Sequence, residues 1–282
     1  MVVYTDKESL TPFILSKKNN SKKIGFVPTM GALHKGHLSL VKTALDQNDV
    51  VVVSIYVNPT QFDNLKDLEN YPRIPVKDQQ FLEQLSGDIV LYVPDNKDIY
   101  GRAVDSMNFR FDGLEHQMEG AHRDGHFDGV GTILTLLFEI VQPDMAYFGE
   151  KDFQQLQIVR KLVEKNSIPV QIIGCPIVRE NNGLAMSSRN KRLSKKEFKE
   201  AAFIYETLSE VRSKFSSTSI NKLKLLVKER FLHHDYLKLE YFEIANESTL
   251  VPAIRKRKDN KYRAFIAVHC GEVRLIDNVA LP

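Results

Sequence analysis

A β-branched run, KIGFVPT (Lys23 to Thr29), gives way to a glycine-containing turn, and apolar residues then return at Leu38, Leu40, Val41, Ala44 and Leu45 with helical spacing. That is strand, loop, helix. VVVSIYV (Val51 to Val57) is an unbroken apolar run, as a strand buried on both faces of a parallel sheet requires, so a first βαβ unit closes there. Past a loop rich in Asn and Pro the alternation continues. Val76 to Leu85 predicts helix, Asp88 to Pro94 strand, Phe127 to Val141 helix, Met145 to Gly149 strand, Phe153 to Lys165 helix and Val170 to Gly174 strand. Strands and helices in this rotation predict an α/β fold, a right-handed doubly wound parallel sheet of Rossmann-like type.

From Ser194 the character changes. Lys195 to Phe215 and Ile220 to His233 read as amphipathic helices, and Tyr241 to Ala245 and Ala264 to Val268 as short strands. The expected organisation is a main domain over residues 1–186 and a smaller C-terminal α+β domain over 187–282. There is no internal repeat and no low-complexity segment.

Composition narrows the class. Hydrophobic residues at 43% and charged residues at 27% are those of a globular chain, which sets disordered and fibrous readings aside. The longest apolar stretch, Val130 to Val141, is interrupted by Gly131, Thr132, Thr135 and Glu139, so it predicts no membrane span. The opening MVVYTDKESL lacks the pattern of a secretory signal, and a cytoplasmic location is expected. Lys+Arg 39 against Asp+Glu 36 leaves a net charge of +3, which gives no footprint for nucleic acid or a membrane surface. The basic runs, including Arg255 to Lys258, read as a solvated face. Cys175 and Cys270 have no second ligand at metal-site spacing and read as buried reduced thiols.

The strongest chemical signal is PTMGALHKGHLSL, Pro28 to Leu40. A buried strand ends, Gly31 permits a tight turn, and His34 and His37 fall three apart at the start of a helix, on one side of its first turn. A helix N-terminus offers N–H groups and the positive end of a dipole, and Gly36 lets a phosphate approach the backbone. Two imidazoles beside it suit oxygens whose charge grows during attack on an α-phosphorus.

Two further loops follow strands. GEKDFQQL, Gly149 to Leu156, lies at a strand's carboxyl end, the edge at which open α/β sheets bind ligands. Lys151 is a candidate phosphate contact, and Gln155 an amide for a hydroxylated substrate. LAMSSRN, Leu184 to Asn190, brings two hydroxyls, successive amides and Arg189, a set able to wrap β- and γ-phosphates.

Together and in chain order, these motifs resemble the pantoate–β-alanine ligase family of the HxGH nucleotidyltransferase superfamily. The resemblance covers nearly the whole chain. It includes PTMGALHKGH (Pro28 to His37), VNPTQF (Val57 to Phe62), NYPR (Asn70 to Arg73), GHFDGV (Gly125 to Val130), GEKDFQQL, MSSRN (Met186 to Asn190) and the terminal RLIDN (Arg274 to Asn278). HxGH alone identifies only the superfamily, whereas NPTQF and GEKDFQQL narrow it to this family.

The resemblance implies two half-reactions: pantoate and ATP give pantoyl adenylate and pyrophosphate, then β-alanine attacks the acyl carbon to give pantothenate and AMP. It implies an ATP site of Met30, Gly31, Ala32, Leu33, His34, Lys35, Gly36 and His37, completed by Gly149, Glu150, Lys151 and Asp152, by Val178 through its backbone, and by Met186, Ser187, Ser188 and Arg189. His34, His37 and Lys151 are the implied catalytic residues, with His37 the family's usual proton donor; an electrostatic role suits it at least as well, because charge on the phosphates needs stabilising throughout. Gln61 and Gln155 would bracket pantoate, Gln61 also facing β-alanine, with Asn58 and Tyr71 softer candidates nearby.

Mg2+ is implied only as the ion accompanying ATP, and the sequence names no protein ligand for it. The family suggests a homodimer, and the position of the MSSR segment at the domain boundary predicts that the 187–282 domain is a lid closing over ATP through it. One segment departs from the family pattern: Asp124 stands where relatives usually have proline before GHF. His122 and His126 have metal-ligand spacing for a helix, but Gly125 and Gly129 argue against a continuous one, so a loop flanking the site or a subunit interface is the expected reading. Two other functions fit less well. Nucleotidyl transfer to a phosphorylated metabolite would need cations where Gln61 and Gln155 stand, and an RNA-binding module would need more than the near-neutral charge.

Overall fold

The computed structural model describes residues 1–62, 65–101 and 103–282. Six parallel strands, β1 (Val2–Tyr4), β2 (Ile24–Thr29), β3 (Val50–Ile55), β4 (Ile89–Tyr92), β5 (Met145–Gly149) and β6 (Gln171–Cys175), form one sheet in the order β1-β4-β3-β2-β5-β6. The doubly wound expectation holds. Every residue of β3 is buried, which is why VVVSIYV carries no polar alternation. Burying a valine or leucine side chain stabilises by about 1.5 to 3 kcal/mol, so this central strand is a principal source of cohesion.

The chain divides into two compact units. The first comprises residues 1–115, 120–150 and 155–176, and the second 116–119, 151–154 and 177–282. In the second, β7 (Leu237–Asn246), β8 (Tyr262–Cys270) and β9 (Val273–Leu281) make an antiparallel sheet in that order. Helices Ala202–Lys214 and Ile220–Leu232 supply Ile204, Leu208, Leu223 and Val227 to one core with Ile244, Ile266, Leu275 and Val279 of the sheet.

Several elements differ in extent from expectation. The expected helix over 76–85 is Pro75–Leu82, opened by a proline whose missing N–H costs nothing at a first helical position. The stretch expected as one helix over 195–215 is two, Lys195–Glu200 and Ala202–Lys214, the first closed into a capping box by Ser194 and Glu197. β1, β9 and the helix Lys7–Asn19, whose interior holds Pro12, were not expected. No described helix is long and apolar enough to cross a membrane.

Candidate active site

β2 lies between β3 and β5, and the chain reaches its two neighbours in opposite directions along the sheet. The carboxyl ends of β2 and β5 therefore flank the point where strand order reverses, the place where open α/β sheets bind ligands. Thr29 ends β2, and Gly31 (φ +80°) and Ala32 (φ +51°) turn the chain in the left-handed region. A Cβ on Gly31 would sit 2.9 Å from Ile55 Cγ2 and 3.1 Å from Asp78 Oδ2. Asp78, only 2% exposed, holds the turn: the Ala32 N–H donates to Oδ2 at 2.8 Å and the Leu33 N–H to Oδ1 at 2.7 Å.

His34 caps the helix Lys35–Leu45. The Gly36 N–H donates to His34 Nδ1 at 3.2 Å, and the His34 N–H donates to His37 Nδ1 at 3.3 Å. A nitrogen that accepts an N–H carries no proton, so this network assigns the proton of each neutral ring to Nε2. The ring centroids are 4.0 Å apart. Two Nε2–H donors thus stand together at a helix N-terminus whose dipole already favours an anion.

Gln61 closes a 3-10 turn, Pro59–Gln61, held from three sides. Asn58, 1% exposed, donates to Gly129 O at 3.1 Å and accepts from Tyr100 Oη at 2.5 Å and Thr60 Oγ1 at 3.1 Å. His126 Nδ1 donates to Gln61 O at 2.9 Å, Arg123 Nη2 donates to the same oxygen at 3.2 Å, and Arg123 Nη1 lies 3.2 Å from His126 Nε2. A carbonyl only accepts, so His126 has its proton on Nδ1 and accepts from Arg123 with Nε2. A Cβ on Gly129 would fall 2.2 Å from Thr60 O, so the turn and the helix His126–Val141 touch through backbone. Asn58 is accordingly a holder of the turn, with both ends of its amide bonded within the protein. Tyr71, 6% exposed, packs edge-on against Phe62 with centroids 5.6 Å apart. Gln155 is half-buried near the start of the helix Phe153–Lys165, while its neighbour Gln154 is buried, accepting from the Glu119 N–H at 3.0 Å and donating to Gln117 O at 2.7 Å.

In the second unit Lys151 Nζ lies 3.2 Å from Asp152 Oδ1. The Met186 N–H donates to Val178 O at 3.0 Å, and Arg179 and Ala185 form an antiparallel bridge, so one narrow loop carries Val178 and delivers the chain to Met186. Ser187 then caps the 3-10 turn Ser188–Arg192, accepting from the Arg189 N–H at 3.3 Å. A charged cluster braces the same unit. Arg274 donates to Glu119 through Nη1 at 2.7 Å and Nη2 at 2.9 Å, and to Glu240 through Nε at 2.8 Å and Nη2 at 3.0 Å. Burial pushes the Glu240 carboxyl up, but Arg274 and His269 outweigh it and leave it below the usual glutamate range.

His122 ends the short helix Met118–His122 and is exposed, whereas His126 begins the next helix after Gly125 at φ +71°. The two rings do not share a helix face. Among the described residues no group of three or more His, Cys, Asp or Glu has the arrangement of a metal site. Both cysteines are buried with free thiols, and burial pushes Cys270 up to about 11. Sequence reasoning did not assign Asp78, Arg123 or His126 a site role, because no spacing rule joins residue 78 to 32 or 126 to 61.

The comparisons with known proteins agree with this architecture over the full chain. A family model described as pantoate-beta-alanine ligase matches residues 2–280. The chain is 54% identical to the pantothenate synthetase of Christiangramia forsetii, covering 100% of this chain and 99% of the relative, and 52% identical to that of Flavobacterium psychrophilum, covering 100% of both. The crystal structure of pantothenate synthetase from Thermus thermophilus superposes with a TM-score of 0.92 at 36% identity, with 100% of each chain covered. A pantoate-beta-alanine ligase from Francisella tularensis, complexed with beta-gamma ATP and beta-alanine, gives 0.81 at 37% identity, with 99% of this chain and 97% of that one covered. With a histidine pair at the switch point of such a sheet and a family match from end to end, this chain belongs to the pantoate-beta-alanine ligase family.

Proposed function

We propose that the protein joins pantoate to β-alanine at the expense of ATP, through an enzyme-bound pantoyl adenylate. A carboxylate is a poor electrophile, so its oxygen first attacks the α-phosphorus and pyrophosphate leaves. The β-alanine amine then attacks the acyl carbon, AMP leaves, and pantothenate is formed. The observation that carries this reading is the pair of Nε2–H donors of His34 and His37 at the N-terminus of the helix Lys35–Leu45, in a chain of this family.

In this reading ATP is contacted by Met30 to His37, Gly149 to Asp152, Val178 and Met186 to Arg189. His34, His37 and Lys151 stabilise the charge that grows on the phosphates. Neutral imidazoles donate hydrogen bonds there without a proton being transferred, and one such donor is worth about 3 kcal/mol of barrier. Gln61 and Gln155 bind pantoate by paired amides, which donate and accept without leaving a buried charge unpaired, and Gln61 also meets β-alanine. Mg2+ enters as the ion carried on ATP, with no protein ligand assigned; Asp78 already gives both oxygens to backbone N–H groups.

A homodimer in the cytoplasm is the assembly and location that the family resemblance supports, and sedimentation of the purified chain tests the former. The reaction itself is tested by product analysis. Pantothenate and AMP are expected in equal amounts only when pantoate, β-alanine and Mg·ATP are all present, and formation of ADP, or products without pantoate, would overturn it.

A further inference from the structure

The terminal RLIDN motif lies on β9, and two of its polar residues are held in the interior: Asp277 is 3% exposed and Asn278 2%. Strand geometry sends alternate side chains to opposite faces. Val273, Leu275 and Val279 belong to the helix-covered core, so Asp277 shares their face, while Arg274 and Asn278 share the other.

Each of these side chains grips a segment from elsewhere in the sequence. Asn278 Nδ2 donates to Lys151 O at 2.9 Å, and its Oδ1 accepts from Arg263 Nη1 at 2.6 Å. Arg263 is fixed in turn by Glu247 at 2.9 Å and stacks 3.8 Å over the Phe153 ring, two residues beyond Lys151. Arg274 holds Glu119, whose N–H is bonded to Gln154 in the same 151–154 segment. On the opposite face Asp277 accepts from Arg179 at 2.6 and 3.0 Å, and Arg179 donates to Gly183 O at 3.1 Å and lies 3.7 Å over the Tyr205 ring. Arg179 is the residue after Val178 and pairs with Ala185, the residue before Met186.

We propose that Asn278 is a positioning residue for Lys151 in adenylate formation, and that β9 registers two ATP-contacting segments at once, 151–154 through Asn278 and 178–189 through Asp277. The proposal rests on the reading that Lys151 contacts ATP. Both ends of the Asn278 amide are engaged: the donor end is on a main-chain carbonyl and the acceptor end is on a guanidinium. The Lys151 carbonyl is attached to the Cα that carries the Lys151 side chain, so losing this bond frees that backbone and moves Lys151 without removing its charge.

Asn278→Asp tests this. It keeps the shape and the acceptor for Arg263, which holds the new carboxylate ionised, but sets oxygen against the Lys151 carbonyl. Single-turnover adenylate formation is expected to fall about tenfold, with KM for ATP raised and KM for pantoate in place. Lys151→Ala is expected to lose at least as much, and the double variant no more than Lys151→Ala alone, because Asn278 acts through Lys151. Asn278→Ala, with its thermal midpoint recorded, serves if the aspartate variant does not fold. Unchanged adenylation in a folded Asn278 variant, or losses that multiply in the double variant, would overturn the positioning role while leaving Lys151 in the site. Full activity of Lys151→Ala would instead remove Lys151 from the site and the proposal with it.

Discussion

The two units fix their functional segments by different physics. In the first, a parallel sheet brings the turns after β2 and β3 out at one edge, and each turn is tied down by hydrogen bonds to its backbone: Asp78 to Ala32 and Leu33, His126 and Arg123 to Gln61. In the second, the segments 116–119 and 151–154 are far in sequence from the antiparallel sheet, and side chains of that sheet do the holding: Arg274 grips Glu119, Asn278 bonds the Lys151 carbonyl and Arg263 stacks over Phe153. A parallel α/β unit inherits the place of its site from strand order. A small antiparallel sheet has no such edge, so side chains from one of its faces must specify what docks there.

The sharpest way to break this contrast is to remove a cation from the second unit. Arg274→Met would leave Glu119 and Glu240 without their guanidinium, and a loss of about 3 to 5 kcal/mol in unfolding free energy is expected from denaturant titration. A loss under about 1 kcal/mol would mean the cluster is not a brace. In the first unit the largest effect falls on chemistry. His34→Ala and His37→Ala are each expected to slow adenylate formation about a hundredfold, roughly 3 kcal/mol, in single-turnover assays. Normal rates in both would end the charge-stabilising role.

Gly129→Ala comes next. Its Cβ would meet Thr60 O at 2.2 Å, so the turn bearing Gln61 must move, at a cost of about 1 to 3 kcal/mol in stability and with KM for pantoate raised. Substrate titration with the thermal midpoint separates the two effects, and an unchanged KM would detach Gln61 from pantoate. A paired comparison then asks whether the two backbone ties are specific. Asp78→Asn puts an amide donor against one of two N–H groups and is expected to raise KM for ATP about tenfold, near 1.4 kcal/mol, and spare pantoate. His126→Leu should do the reverse, and His126→Asn should recover part of the loss by donating again to Gln61 O. Equal effects on both substrates would show that the ties are not separate.

The smallest effect is in pH. The Glu240 carboxyl is held below the usual glutamate range in the folded chain, so its contribution to stability is present above the unfolded pKa and is lost as pH falls through the lower folded value. Glu240→Gln should therefore flatten the acid limb of stability against pH. An unaltered limb would show that the ion pair adds nothing to folding.

Much of the first unit was legible because its central strands β2 and β3 are buried on both faces and its turns carry residues with chemistry of their own. KIGFVPT, VVVSIYV and the His34–His37 spacing need no tertiary knowledge. The second unit was harder to read. β9 reads VRLIDNVAL, in which half-buried Arg274 and buried Asp277 and Asn278 break the apolar pattern, and their places make sense only once Glu119, Arg179 and Lys151 are seen beside them. β1 is three residues long, and Pro12 hides the first helix. Asp78, His126 and Asn278 act on backbone groups distant in sequence, a role that leaves no motif spacing to find.

Pyrophosphate release from Mg·ATP in a single turnover, with pantoate present and β-alanine absent, is the most direct test of an adenylating ligase. One equivalent per active site is expected with pantoate alone, followed by steady turnover and AMP when β-alanine is added. Release that ignores pantoate, or that waits for β-alanine, would contradict the two half-reactions and with them the roles given to Gln61 and Gln155.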